Sequence, residues 1–287
     1  MTNRVESALV AFRCRGQPHR YLHDTVRAFR SQRGNAAIQV ALLWDEARPL
    51  PEEWTSFLSL SDHVLFHSVA QGIGPTNRLA IAQARILDVE ALVIMDGDGL
   101  YIEPVEAVNA AIDALDKFDV VVSQQTVVSL PLCDRPGEDR AVYEHFERWL
   151  LERRYECRLP HQLQPGLYVL DRRAIATIEL TCHHFAADWE IAFRVLESGL
   201  SIGPTPKKAR TATQQTTSFH EEDQRRKFAE LFGVLELSRG DVTALVDTFS
   251  GENELRYSQQ QLDRLSTLCG AAFERPSFGP LIRRSAG

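Results

Sequence analysis

The first half of the chain alternates short apolar runs with segments of helical spacing. Ala8-Leu9-Val10-Ala11-Phe12 is a continuous apolar run, the pattern of a strand buried on both faces. Leu22, Val26 and Phe29 then recur at helical spacing, with Gly34 placed as a C-terminal stop. A second strand over 38–44 ends at Asp45-Glu46, and a third over 63–67 follows a Pro- and Glu-rich loop. Gly72-Ile73-Gly74-Pro75-Thr76-Asn77 opens a helix to about Leu87, and the run 91–95 ends at Asp96-Gly97-Asp98-Gly99. Pro104 then starts a helix whose Val105, Val108, Ile112 and Leu115 share one face, before a fifth strand at 120–122. Strand and helix alternating in this way predict an α/β fold with a mostly parallel sheet flanked by helices. Ligands of such sheets bind beyond the carboxyl ends of the strands, where Asp45 and the Asp96/Asp98 pair both fall.

The second half is less regular. A helix over 140–154 carries Tyr143, Phe146, Trp149 and Leu150; 166–170 reads as a strand and 189–198 as a helix ended by Gly199. After a polar Thr/Gln stretch at 211–217 the pattern is polar and helical to about Arg275, and 276–287 reads as a loose tail. The expected organisation is one α/β domain over 1–220 and a helical C-terminal extension over 221–287.

Composition narrows the partners rather than the chemistry. The 287 residues are 44% hydrophobic and 25% charged, with 32 Lys+Arg against 39 Asp+Glu, a net charge of −7. That balance argues against a general nucleic-acid binder. No apolar run approaches the roughly 18 residues of a membrane span, and the N-terminus enters a strand without a signal-peptide core. Cys14, Cys133, Cys157, Cys182 and Cys269 are scattered without CxxC spacing, as expected of reduced thiols in a cytoplasmic protein.

Asp96-Gly97-Asp98 is the sharpest chemical signal. Two carboxylates one residue apart at a strand end can share a divalent cation and the diphosphate that the cation neutralises. Gly97 between them lets a phosphate approach the backbone. The same tripeptide also suits an ordinary turn, and Leu100 stands where a calcium loop needs another oxygen ligand.

With its place in the chain considered, the stretch from about Ala8 to His220 resembles the GT-A glycosyltransferases, in particular their large family 2 group. The resemblance implies a nucleotide-diphosphate sugar as donor, an unidentified hydroxyl as acceptor, Mn2+ or Mg2+ as cofactor, and a GT-A domain over 1–220. It implies that Asp45 contacts the nucleotide base, that Asp98 holds the metal and that Asp96 contacts the ribose or the metal. Asn77-Arg78-Leu79-Ala80 is similar to the helix near the diphosphate, with Arg78 as a donor-binding candidate. The usual arginine-asparagine order is reversed there, and Ala80 replaces a glycine. Gly166 in Gln164-Pro165-Gly166-Leu167-Tyr168 resembles the glycine loop beside the donor sugar and acceptor. Ala187-Asp188-Trp189-Glu190 is similar to the family's Glu-Asp motif with Ala187 in place of the first acid, and implies that Asp188 is the general base of an inverting transfer. Asp188 also suits a plain N-cap. His220 lies where many GT-A enzymes complete the metal site.

Several residues near these motifs have two readings. Lys207, Lys208 and Arg210 suit either a diphosphate clamp or a solvated turn, and Trp189 either a sugar platform or core. Of His183 and His184, adjacent in an extended segment, at most one faces any site. The polar helices after His220 suit either an acceptor cover or a homodimer contact. Two other functions compete. A haloacid-dehalogenase-type phosphatase would use Asp96 as nucleophile and Asp98 as acid/base, with Ser123 as its second motif. A non-catalytic nucleotide-sugar binder would account for the missing acid at Ala187.

Overall fold

The apolar runs become the centre of one sheet, because each has to bury both of its faces. In the computed structural model the protein is described over residues 5–14, 22–31, 37–45, 59–66, 72–97, 101–102, 104–123, 125–127, 137–160, 163, 166–183, 186–207, 209–211 and 221–274. The chain divides into two units, Met1–Phe219 and His220–Gly287. The expected stop at Gly34 and the tail at 276–287 lie outside the described residues.

Ten strands lie among the described residues of the first unit: β1 (Ser7–Cys14), β2 (Ala37–Trp44), β3 (His63–Phe66), β4 (Ala91–Asp96), β5 (Tyr101–Ile102), β6 (Val120–Val122), β7 (Gln125–Val127), β8 (Leu167–Asp171), β9 (Ile202–Pro204) and β10 (Ala209–Thr211). Seven form the main sheet in the order β3-β2-β1-β4-β8-β6-β9. Only β8 runs against its neighbours, and the other six are mutually parallel. The mostly parallel α/β sheet expected from the sequence is thus observed. A small second sheet, β5-β10-β7, is built from strands too short to show a period in the sequence.

The helices of this unit are α1 (Leu22–Ser31), α2 (Ile73–Leu87), α3 (Pro104–Asp113), α4 (Gly137–Tyr155), α5 (Arg172–Thr177) and α6 (Ala186–Glu197). Ala8, Val10, Phe12 and Cys14 of β1 share a core with Leu22, Val26 and Phe29 of α1 and with Ala107, Val108 and Ala111 of α3. Alternation along the strand turns Leu9, Ala11 and Arg13 to the other face. There α2 packs on β1, β2 and β4, and α6 packs on α2. No helix among the described residues is long and apolar enough to cross a membrane.

The second unit contains α7 (Glu221–Val234), α8 (Arg239–Asn253) and α9 (Gln259–Ala271). Phe228, Phe232, Val246, Phe249 and Leu265 are buried, and Phe232 stacks between Phe228 and Phe273. Reciprocal capping boxes begin α8 at Ser238/Asp241 and α9 at Ser258/Gln261.

Candidate active site

Parallel register brings the site together. Arg13 at the end of β1 is the register partner of Asp96 at the end of β4, so both side chains leave the same face of the sheet. The Arg13 side chain is only 6% exposed and that of Asp96 is 41% exposed. Arg13 Nη2 donates to Asp96 Oδ1 at 2.5 Å. Arg13 Nη1 donates to Asp188 Oδ1 and, at 3.1 Å, to Asn77 Oδ1. Asn77 Nδ2 completes the triangle with a 3.0 Å bond to Asp188 Oδ1. Among the described residues all the side-chain bonds of Asp188 therefore fall on Oδ1, and its side chain is 11% exposed.

Each element contributes for a local reason. Asp188 is the third residue of α6 rather than its N-cap, and its carboxylate turns to the sheet edge instead of to the helix backbone. Tyr168 is the register partner of Ile94 on β8, and its hydroxyl bonds the backbone carbonyls of Asp188, at 3.0 Å, and Leu163. Glu190, one turn into α6, is fully buried and accepts from the Thr181 and Cys182 amides at 2.8–2.9 Å and from Arg194. These bonds tie the segment entering α6 to the helix itself.

Electrostatics keep Arg13 charged. Burial pulls its pKa down, but the charges of Asp188 and then Asp96 outweigh this and the net shift is upward. One positive charge thus stands between two negative ones, which leaves the trio net anionic at the carboxyl edge of the sheet. Among the described residues Arg13 Nε, which is buried, has no hydrogen-bond partner, and the two Nη groups fix the guanidinium.

Asp96 and Gly97 are each pinned through the backbone. Gly97 N–H donates to Arg13 O at 2.7 Å, and Asp96 N–H donates to Gly166 O at 2.9 Å. A Cβ at Gly97 would lie 2.6 Å from Arg13 O and 2.7 Å from Cys14 Sγ, so only glycine fits. Gly166 has φ +67°, a left-handed conformation that favours glycine. Asp45 is buried at the end of β2, and its Oδ2 accepts the Gly72 N–H at 2.9 Å just before α2.

Other sequence candidates sit elsewhere. Arg78 donates to the carbonyls of Cys182 at 2.9 Å and Leu180 at 3.5 Å, while the adjacent Asn77 reaches Asp188. Trp189 is core: it is buried, stacks on Phe193 at 5.8 Å and donates to Glu147 O. Lys207 is ion-paired with Glu106, and His183 accepts the Gly74 N–H on its backbone carbonyl. Asp98, His184, Lys208 and His220, together with the side chain of Arg210, lie outside the described residues. Among the described residues no group of three or more His, Cys, Asp or Glu is placed to hold a metal. Sequence reasoning missed Arg13 and Tyr168. The signal for Arg13 was present, since a charged residue continuing a strand buried on both faces demands a buried partner.

No protein-family model matches the chain, and no curated protein matches its sequence. Solved structures do. A mycobacterial protein aligns at 14% identity over 81% of this chain and 76% of its own, with a TM-score of 0.60. Glucosyl-3-phosphoglycerate synthase from Mycobacterium tuberculosis aligns at 14% identity over 81% and 82%, with a TM-score of 0.59. The same synthase in complex with Mn2+, UDP-glucose and phosphoglyceric acid aligns at 12% identity over 81% of each chain, with a TM-score of 0.58. This chain has a GT-A-like fold, and the resemblance read from its sequence holds at that level.

Proposed function

We propose that this protein is a metal-dependent glycosyltransferase that moves a sugar from a nucleotide-diphosphate sugar to an acceptor hydroxyl. The observation that carries the reading is the pairing of Asp96 and Asp188 through Arg13 at the carboxyl edge of a GT-A-like sheet. Solved structures of similar fold are complexes with Mn2+ and UDP-glucose.

The division of labour follows from placement. Asp45, beside the start of α2, is assigned to the nucleotide base, and Gly97 and Gly166 are assigned to the donor side of the site, where their backbone bonds set the position of Asp96. Asp96, with Asp98 two residues on, would hold Mn2+ or Mg2+; the net anionic trio suits a cation, and a bound cation would neutralise charge on the departing diphosphate. Asp188 Oδ2, the oxygen left outside the Arg13 and Asn77 bonds, takes the acceptor proton. The acceptor oxygen bonds the anomeric carbon as the bond to the diphosphate oxygen breaks, and that electron pair leaves with the nucleoside diphosphate. A single displacement of this kind inverts the anomeric centre. Residues 221–287 are assigned as a helical C-terminal extension.

Nucleotide release from UDP-, GDP- and dTDP-glucose with Mn2+ tests the reading, with Asp188→Asn as comparison. The wild type is expected to release nucleotide from at least one donor, and the variant to turn over about 100- to 10,000-fold more slowly. Equal rates in the two proteins remove Asp188 from the base role. Hydrolysis of an aryl phosphate without nucleotide release would favour the phosphatase instead.

A further inference from the structure

We infer that Arg13 is a positioning residue of this site: its guanidinium fixes the spacing between the donor-side carboxylate, Asp96, and the acceptor-side carboxylate, Asp188. The inference rests on the glycosyltransferase reading and goes beyond it, because Arg13 belongs to neither motif that suggested the reaction.

Three observations carry it. First, the two Nη groups serve different carboxylates, one on a strand and one on a helix, which nothing local in the chain joins. The planar fork of arginine can hold two acceptors at a set separation, whereas the point charge of a lysine cannot. Secondly, Asn77 from α2 grips the same Asp188 oxygen from a second direction, so Oδ1 is held from two sides and Oδ2 stays outside these bonds. Thirdly, Arg13 Nε is buried and unpartnered among the described residues, a cost that a pair built only for stability would not need. Replacing a whole buried ion pair by well-packed apolar side chains of similar volume is often neutral or stabilising. Retaining this one at a sheet edge, against a partly exposed Asp96, fits a requirement of geometry.

The test is steady-state kinetics of nucleotide release by the full chain with Mn2+, using whichever of UDP-, GDP- and dTDP-glucose the wild type turns over. Arg13→Met and Arg13→Lys are compared, with circular dichroism reporting the fold. Both are expected to lower kcat at least about 100-fold, with any rise in the donor KM from the freed Asp96 smaller than the fall in kcat, since misplacing the base slows chemistry. Arg13→Lys keeps the buried charge and decides the matter should Arg13→Met not fold. Asn77→Ala, which removes the second grip, is expected to lower kcat about tenfold. A kcat within threefold of wild type in Arg13→Lys, or an effect confined to KM, overturns the inference and leaves the glycosyltransferase reading standing. Absence of release from every donor by the wild type overturns that reading and the inference with it.

Discussion

At the sheet edge Arg13 reaches Asp96 across 83 positions of sequence and Asp188 across 175. In the C-terminal helices Glu222 meets Arg225 and Arg226 only three and four positions away, and Ser238 caps its own helix through Asp241. The second kind of bond is available to a lone helix in water and contributes a few tenths of a kcal/mol for each ion pair. The first kind exists only once β1 is paired with β4 and α2 and α6 are packed, and it takes Arg13 and Asp188 largely out of water while Asp96 stays partly exposed. Local pairing of exposed charge supports the helices; long-range pairing of buried charge marks what the α/β fold is arranged to hold.

That contrast can be broken at either end. The largest effect is expected from chelation: EDTA should lower nucleotide release more than about 100-fold, with Mn2+ restoring it. Full turnover in EDTA would remove the metal role from Asp96. Next, Gly97→Ala forces a Cβ against Arg13 O and Cys14 Sγ and is expected to cost about 1–3 kcal/mol in urea unfolding. An unchanged midpoint would mean that the turn is free to move. Ser238→Ala removes a capping box in the helical unit and should cost about 1 kcal/mol, read by thermal melting, without altering turnover.

The smallest effect is one of pH. Hydrogen bonds from Arg225, supported by Arg226, hold the Glu222 carboxyl at about 2 rather than its ordinary 4.5. A depressed carboxylate adds stability above the unfolded value and loses it as pH falls from about 4.5 through about 2. Because the pair is solvent-exposed, the contribution is expected to stay below about 0.5 kcal/mol. Glu222→Gln should flatten that part of the acid-unfolding curve slightly, and a large change would mean that the pair is buried.

The same contrast explains what could be read in advance. β1, β2 and β4 were visible because burial on both faces excludes polar residues from their centres. The direction of β8 was not, since an apolar run carries no mark of orientation. Asp96 and Asp188 stood out because a carboxylate closing a strand or opening a helix is recognisable from sequence neighbours alone. Their joining through Arg13 was hidden, because strand register sets it. The sequence pointed to Arg78 on α2, whereas Asn77 is the one that reaches Asp188: neighbours on a helix point about 100° apart, and the roll of α2 on the sheet decides which faces Asp188.

Calorimetric titration of UDP-, GDP- and dTDP-glucose into the full chain, in Mn2+ and again in EDTA, tests the central claim most directly. A GT-A donor site is expected to bind at least one of the three in Mn2+ and to lose at least about tenfold in affinity without the cation. No binding of any of them in Mn2+ would contradict a nucleotide-sugar site on this sheet edge.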